Sequence, residues 1–414
     1  MTLQSATLNQ LDSTSYLECD LAIVGGGIAG TTLALALKES GLRIKIIESQ
    51  TLEEVACRER AYALSLLSGR IFNGIGVWSK ILPEISKFRY IFLSDADFSK
   101  TVQFKSTDLK TDYLGYVGEH KAILNILQSE TTQYPNIQFL SPAKVIKLDT
   151  EESKSVLSIE KEGIAYKLHT KLVVGADGPL SFVRSSAKIK TQGWKYWQSC
   201  LTFIIKHQAS RNDIAFERFR CTGPLAILPL PNNRCQIVWT LPHAQAKSFH
   251  DLEDKQFLAQ LQKHIPEFLG PVTLINSRSL FPVQLMQSKN YIQSRLALVG
   301  DAAHCCHPVG GQGLNLGIRD VAILAETLER AWQKGEDIGS QRLLKKYETW
   351  RRRENWIILG FTDFLDRLFS NNYFLLVLIR RFGLIIINHI PFLKKNILRL
   401  MTGLLGKQPI LSKK

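Results

Sequence analysis

Residues 19–48, CDLAIVGGGIAGTTLALALKESGLRIKIIE, constrain the fold more than any other stretch. A short apolar run, residues 21–24, leads into Gly25, Gly27 and Gly30, spaced G-x-G-x-x-G. A helical pattern through Leu33, Ala36 and Leu37 follows, with Gly41 placed to stop it. A second apolar run, 44–47, ends on Glu48. Strand, tight turn, helix and parallel strand make a βαβ unit. Gly25 permits the sharp turn, Gly27 a close backbone approach to a pyrophosphate, and Gly30 tight packing of helix on sheet. The helix N-terminus offers free N–H groups and a positive dipole end to phosphates. Glu48 stands where a carboxylate accepts from ribose hydroxyls. The unit predicts a dinucleotide site without choosing between NAD and FAD.

At 414 residues, 45% hydrophobic and 21% charged, the chain has room for one large α/β domain and a second unit. A net charge of +15 suggests an anionic partner such as nucleic acid, acidic protein or anionic lipid, against a merely solvated basic surface. Seven cysteines, an odd number without C-x-x-C spacing, argue against a disulfide framework and for a reducing compartment. The first 20 residues lack the apolar core of a secretory signal and the arginines of a mitochondrial presequence, so a cytoplasmic location and a flexible lead-in are expected.

Further along, Leu64, Leu67 and Ile71 fall at helix spacing, with Arg58 and Arg60 just before them. Segment 88–117 alternates as short strands, 119–130 reads as a helix, and 137–176 reads as strands. From about 195 to 285 the character is β, with strands at 200–205, 214–220, 225–228 and 235–241 and one helix near 251–263. The apolar strand 295–300 then delivers Asp301, a glycine-rich loop and a long helix over 313–333. The expected division is 18–190 and 286–345 for a discontinuous nucleotide-binding domain, 191–285 for an inserted substrate-binding sheet, and 346–414 for a helical tail.

Two later segments, LVVGADGPLSFVR (172–184) and RLALVGDAAHCCHPVGGQGLNLGIRD (295–320), resemble hallmarks of the FAD-dependent aromatic hydroxylases, the class of para-hydroxybenzoate hydroxylase. RAYALSLLSGRIFNGIGVW, ILPLPNNRCQIVWTL, YETWRRRENW and FLDRLFSNN resemble its ubiquinone-biosynthesis branch. The similarity runs from about 20 to about 406. It implies an α/β, Rossmann-like FAD-binding domain with an inserted β-sheet and a C-terminal helical tail. It also implies a monooxygenase that uses O₂ and a flavin C4a-hydroperoxide to hydroxylate an aromatic ring, such as that of a prenylated phenol or quinone precursor. NAD(P)H or a ferredoxin-type donor would supply electrons. A flavin-dependent reductase of isoprenoid double bonds and a non-catalytic part of a quinone-synthesising assembly are the alternatives.

By that resemblance Asp301 holds a ribityl or ribose hydroxyl, and Gly313, Leu314 and Asn315 open the helix whose N–H groups face the ring. Pro308 and Gly311 line its reacting face. Asp177 and Gly178 lie near the pyrophosphate, Arg60 reaches the phosphates, and Glu119 aligns with a cofactor contact. Gly310 departs from the alanine usual in the family. The run His304-Cys305-Cys306-His307 could suggest a metal, but adjacent residues do not converge easily on one tetrahedral ion, so no metal is expected. Small buried thiols beside a cofactor are expected there rather than a redox pair. Arg351-Arg352-Arg353 reads as a surface ion-pair cluster, and no nucleic-acid module accompanies it. Leu228, Pro229 and Trp239 are candidates for the substrate pocket or for core. The apolar tail 356–405 includes the near-spanning run 373–390, interrupted by Arg380-Arg381. Its last helix sets Leu393, Ile397, Leu400, Met401 and Leu404 against Lys394, Lys395 and Arg399. Peripheral attachment to a membrane, or docking on a partner of a biosynthetic complex, is expected from it.

Overall fold

The computed structural model describes residues 15–95, 98 and 101–413; the expected lead-in, 1–14, lies outside the described residues. Five parallel strands form the heart of the first sheet. In space they run Ile137–Leu140, Ile44–Ile47, Ser15–Val24, Ile164–Gly175 and Leu296–Leu298, the 3-2-1-4-5 order of a dinucleotide-binding sheet. Buried on both faces, the strands carry continuous apolar runs, with Leu21, Ala22 and Ile23 fully enclosed. Helix Ile28–Ala36 covers the sheet and ends before Gly41, whose φ of +79° is left-handed. The passage from the third strand to the fourth is an antiparallel meander, Lys144–Thr150 and Ser155–Lys161. Its last hairpin turns on Glu162 and Gly163, at φ +54° and +77°, as a two-residue I′ turn requires.

Among the described residues the second sheet has nine strands, with the long Thr191–Lys206 between Arg234–Pro242 and Ser279–Ser288. It is wider than the expected insert. Tyr90–Asp95 pairs in parallel with Ile214–Phe219, and Val102–Lys105 extends the edge, so residues from before 191 complete it. One face lies under helices His243–Asp251 and Asp254–Leu261, where one helix over 251–263 was expected, and buries Phe203, Ile237, Trp239 and Phe257. The opposite face carries Ile204, Ala215, Phe219 and Leu230, packed with Val309 of the loop that follows Leu296–Leu298. The helical spacing from Leu64 is corrected too. Leu64 belongs to strand Ala61–Ser65, and the helix starts at Leu66, capped by the Ser65 hydroxyl, which accepts from Ser68 N.

Three helices close the chain: Gln341–Phe369, Phe374–His389 and Pro391–Met401. Phe369, Leu384 and Leu398 pack into the core between sheet and tail. Among the described residues no single helix is long and apolar enough to cross a membrane; the first two pass by composition only as a pair bent by 120°.

Candidate cofactor and active site

Parallel register puts the C-terminal ends of four strands at one sheet edge. Val24 is level with Ile47 and Gly175, and Gly175 with Leu298. The residues that follow the strand ends include Gly25, Glu48, Asp177 and Asp301, which brings the separated motifs to one crevice. The glycines differ in what they tolerate. A Cβ on Gly25 would lie 2.4 Å from the Ala176 carbonyl oxygen, and one on Gly30 would lie 2.0 Å from that of Gly25. A Cβ on Gly27 would meet nothing within 4 Å. Gly27 is also the N-cap of Ile28–Ala36, with no side chain capping it, so the first-turn N–H groups face open space. Glu48 accepts from Gly26 N at 2.8 Å, Gln50 N at 3.0 Å and Ser49 Oγ at 3.2 Å. That occupies three of roughly four acceptor positions on a carboxylate.

Asp177 accepts from Val183 N at 3.0 Å, while its other oxygen is buried without a partner. Burial raises its pKa, opposed by hydrogen bonds from Ser181 and nearby backbone. Gly178 follows at φ +81°, with open space where a Cβ would stand. Asp301 is accessible to solvent, yet dense protein around it raises its pKa, with His304 and Arg60 pulling the other way. Both hold for a carboxylate on the floor of an open cleft. Arg60 lies in the same cleft, its guanidinium 5.1 Å from the Phe281 ring centroid. Glu119 is brought beside Arg60 through the Ala61–Glu119 pairing, but its carboxylate is held by Arg234 at 2.8 and 3.2 Å.

Gly310 and Gly311 are left-handed in succession, at φ +67° and +60°. A Cβ on Gly311 would approach that of Ala63 to 2.9 Å, and one on Gly310 would lie 2.3 Å from the Met401 methyl. The departure from alanine thus coincides with a C-terminal helix that covers the loop. Pro308 enters this loop, and helix Gln312–Gln333 leaves it with no side-chain cap, so its first-turn N–H groups, Gly313 and Leu314 among them, lack side-chain acceptors. The Asn315 amide is the first with a carbonyl four residues back. Its side chain is a staple: it accepts from Ser65 N and Ser68 Oγ and donates to Ala63 O and Gly311 O, all within 2.8 Å.

The His304–His307 run divides. His304 Nε2 bonds Asp320 at 2.6 Å, and His307 Nε2 faces Gln198 and Asp366 at 3.3 and 3.4 Å. Burial pushes the Cys306 thiol up to about 12 and Cys305 further still, so both stay protonated. Sequence reasoning missed the group behind them. Asp320 accepts from Gly300 N at 3.1 Å, Arg351 Nε at 2.8 Å and Asn355 at 3.0 Å. Arg351 is therefore buried in the core and not part of a surface cluster. Trp239 meets the tilted Phe249 ring and the edge-on His264 ring on the helix-covered face of the sheet, and Pro229 pairs with Cys235 on that side, so neither lines the cleft. Leu228 is on the loop-facing side.

An uncapped glycine turn, an unpartnered carboxylate oxygen, an accessible acid at a strand end and a second uncapped helix together fit FAD. The sequence matches the family model described as FAD binding domain over residues 18–362. It is 34% identical to a ubiquinone hydroxylase of Rhodospirillum rubrum, over 94% of this chain and 91% of that one. The 3-demethoxyubiquinol 3-hydroxylase of Escherichia coli is 33% identical, over 93% and 98%. The chain belongs to this FAD-dependent monooxygenase family. The crystal structure of a p-nitrophenol 4-monooxygenase from Pseudomonas putida shares the fold, with a TM-score of 0.81 at 18% identity over 94% of this chain and 99% of that one. In such monooxygenases FAD, typically reduced by NAD(P)H, supplies the activation of O₂. The protein's part is to bind, orient and exclude water.

Proposed function

We propose that this monooxygenase hydroxylates the ring of a prenylated phenol or quinone precursor in quinone biosynthesis. What carries the reading is end-to-end similarity to two ubiquinone-type hydroxylases. The turn Gly25–Gly30 and the Ile28–Ala36 N-terminus would hold the pyrophosphate, with Arg60, Asp177 and Gly178 beside it. Glu48 and Asp301 would take hydroxyls, and Gly313, Leu314 and Asn315 would bring the helix N-terminus to the ring. Pro308 and Gly311 would shape its reacting face. Purified enzyme given ¹⁸O₂, NAD(P)H and 2-geranylphenol should release a product carrying one labelled oxygen. Saturation of the side chain without label would point to the reductase, and no turnover with NAD(P)H or reduced ferredoxin would point to a non-catalytic component.

The same reading places the enzyme peripherally on a membrane, on the cytoplasmic side, where a prenylated substrate dissolves. Support comes from an inverted helix. Phe374–His389 buries Arg380, which donates to Asp95 at 3.0 Å, and turns Phe374, Leu375, Leu378, Ile379 and Phe382 outward. With Trp356, Phe364 and Phe392 also exposed, this is an apolar face of the kind that marks an interaction surface. The positive charge is less free than the sequence implies. Arg380 and Arg381 pair with Asp95, and Lys394 pairs with Asp108. Vesicle binding should therefore be mainly apolar and change little with salt. Replacing Phe374, Phe382 and Phe392 together by Ser should weaken co-sedimentation with anionic vesicles at least 100-fold, since each buried aromatic contributes roughly 1.5–3 kcal/mol. Unchanged sedimentation would remove this surface from membrane binding.

A further inference from the structure

The carboxylates on the loop-facing side of the second sheet are not alike. Asp95 is neutralised by Arg380 and Arg381. Glu217 has no ion-pair partner among the described residues. It stands on strand Ile214–Phe219 with the same orientation as Ala215 and Phe219, which pack toward Val309 and the loop that carries Pro308, Gly310 and Gly311. The Gly310 amide is near enough to favour its charged form. Register places it in a transverse row with Ala226 on one side and Leu93 on the other. Ala226 is the shortest side chain of that row, and Glu217 itself keeps part of its surface accessible. An unpaired carboxylate in such a place is costly unless a ligand supplies its partner.

We propose that Glu217 receives the ring hydroxyl of the substrate and holds its proton while the ring is hydroxylated. The inference rests on the hydroxylase reading above. As the ring carbon takes up oxygen, the phenolic O–H bond breaks, its proton passes to the carboxylate and its electron pair stays on the ring system. The proton returns to that oxygen once the attacked carbon has lost its own hydrogen as a proton and aromaticity is restored. That hydrogen goes to the second oxygen atom of O₂ as that atom, reduced by the NAD(P)H electrons, leaves as water. Electron release from an ionising hydroxyl makes the ortho and para carbons more nucleophilic, which is what transfer of an electrophilic oxygen requires. The proton stays inside the site, where water is excluded.

Burial raises the acid to about 7, against a smaller downward pull from the Gly310 amide. It is thus charged above neutrality and protonated below. The groups facing it do not add a titration in that range. Cys200, three strands away across the sheet on Thr191–Lys206, is a thiol pushed up to about 12. Asp95 is paired with Arg380 and Arg381.

The test compares wild type, Glu217→Gln, Glu217→Leu and Glu217→Asp as FAD-loaded enzymes, with 2-geranylphenol and its methyl ether as probes. Calorimetric binding to the oxidised enzyme at pH 8 should favour the phenol at least 10-fold in wild type and show no preference in the Gln and Leu forms. In turnover, kcat/KM for the phenol should rise about 10-fold per pH unit up to about 7 and then level. Glu217→Gln should give a flat profile roughly 100-fold lower, a range expected of a lost general base. Glu217→Asp should restore part of the rising limb. A phenol preference and a rising limb that persist in the Gln and Leu forms, with FAD content unchanged, would overturn the proposal. Absence of ¹⁸O incorporation by wild type would instead sink the hydroxylase reading, and the binding comparison would still decide whether Glu217 receives the hydroxyl.

Discussion

Gly27→Val should yield a folded protein that does not retain FAD, while Gly30→Ala should lose both flavin and stability. The two glycines are three residues apart in one turn, yet the space around them is opposite. Nothing lies within 4 Å of a Cβ on Gly27, and its backbone is extended, at φ −73° and ψ −175°, so the apoprotein accommodates valine without strain. The open space is what a pyrophosphate needs, and the isopropyl group would fill it and screen the uncapped helix N-terminus. We expect FAD affinity to fall at least 1000-fold, with apoprotein Tm within about 2 °C of wild type. At Gly30 a single methyl would stand 2.0 Å from the Gly25 carbonyl oxygen, less than any non-bonded contact allows. The atom in the way is backbone, held in the turn by Gly25 N donating to Ile47 O at 2.8 Å, so relief requires opening the turn. Overpacking of that kind costs about 1–3 kcal/mol or more. Flavin absorbance per protein and thermal unfolding of the apoproteins read the two effects separately. A Gly27→Val protein that keeps yellow colour through gel filtration would show that the pyrophosphate does not lie on this turn.

The βαβ unit was legible because its signals are local. Each glycine, the helix stop at Gly41 and the acid at Glu48 lie within one 30-residue window, and in the folded turn Gly25 and Gly30 stand where a Cβ would clash with backbone. What is set by distant chain was not legible. Strand Tyr90–Asp95 joins the second sheet by pairing with a strand more than 100 residues later, and no local pattern announces that partner. Alternation in Leu225–Leu230 and Arg234–Pro242 shows that each strand has two faces. It does not say which face meets the loop, so Trp239 stood as a pocket candidate while it packs under the helices. Leu64 fits a helical spacing and a strand equally well over so short a run, and pairing with Gly115–Glu119 decides for the strand. Glu217 sits beside Arg218 in a strand of mixed pattern, which usually marks a solvated edge; only the fold shows that its side faces the loop that carries Val309. Arg351 was read as surface because it opens a run of three arginines; a buried carboxylate 31 residues upstream, together with Glu354 and Asn355 on its own helix, takes it into the core.

That carboxylate should carry the largest stability effect in the chain. Asp320 and Arg351 are buried together with His304 and Asn355, and Asp320 is the acceptor on which the other three converge. Asp320→Asn keeps the shape but leaves Arg351 charged, buried and without its main counter-charge. Breaking one side of a buried pair costs about 3–5 kcal/mol, because the remaining ion keeps its desolvation penalty. Arg351→Met in the same protein removes that ion, so the double variant should be less destabilised than the sum of the two single changes. The pH dependence has a definite sign. Burial alone would raise the Asp320 pKa, but His304 and Arg351 overcome it and hold the group at about 2, below its ordinary 3.8. A depressed carboxylate stabilises the fold above its unfolded pKa, and that contribution is lost as pH falls from about 4 toward 2. Asp320→Asn should flatten this part of the acid-unfolding curve. The change should also reach the cofactor, since Asp320 accepts from Gly300 N at 3.1 Å and so fixes the backbone immediately before Asp301. Urea unfolding of wild type, both single variants and the double variant at pH 7, repeated at pH 3, measures all of this. Equal stability of wild type and Asp320→Asn at pH 7 would show that Arg351 finds its compensation elsewhere and that Asp320 does not anchor the helix Gln341–Phe369 to the flavin loop.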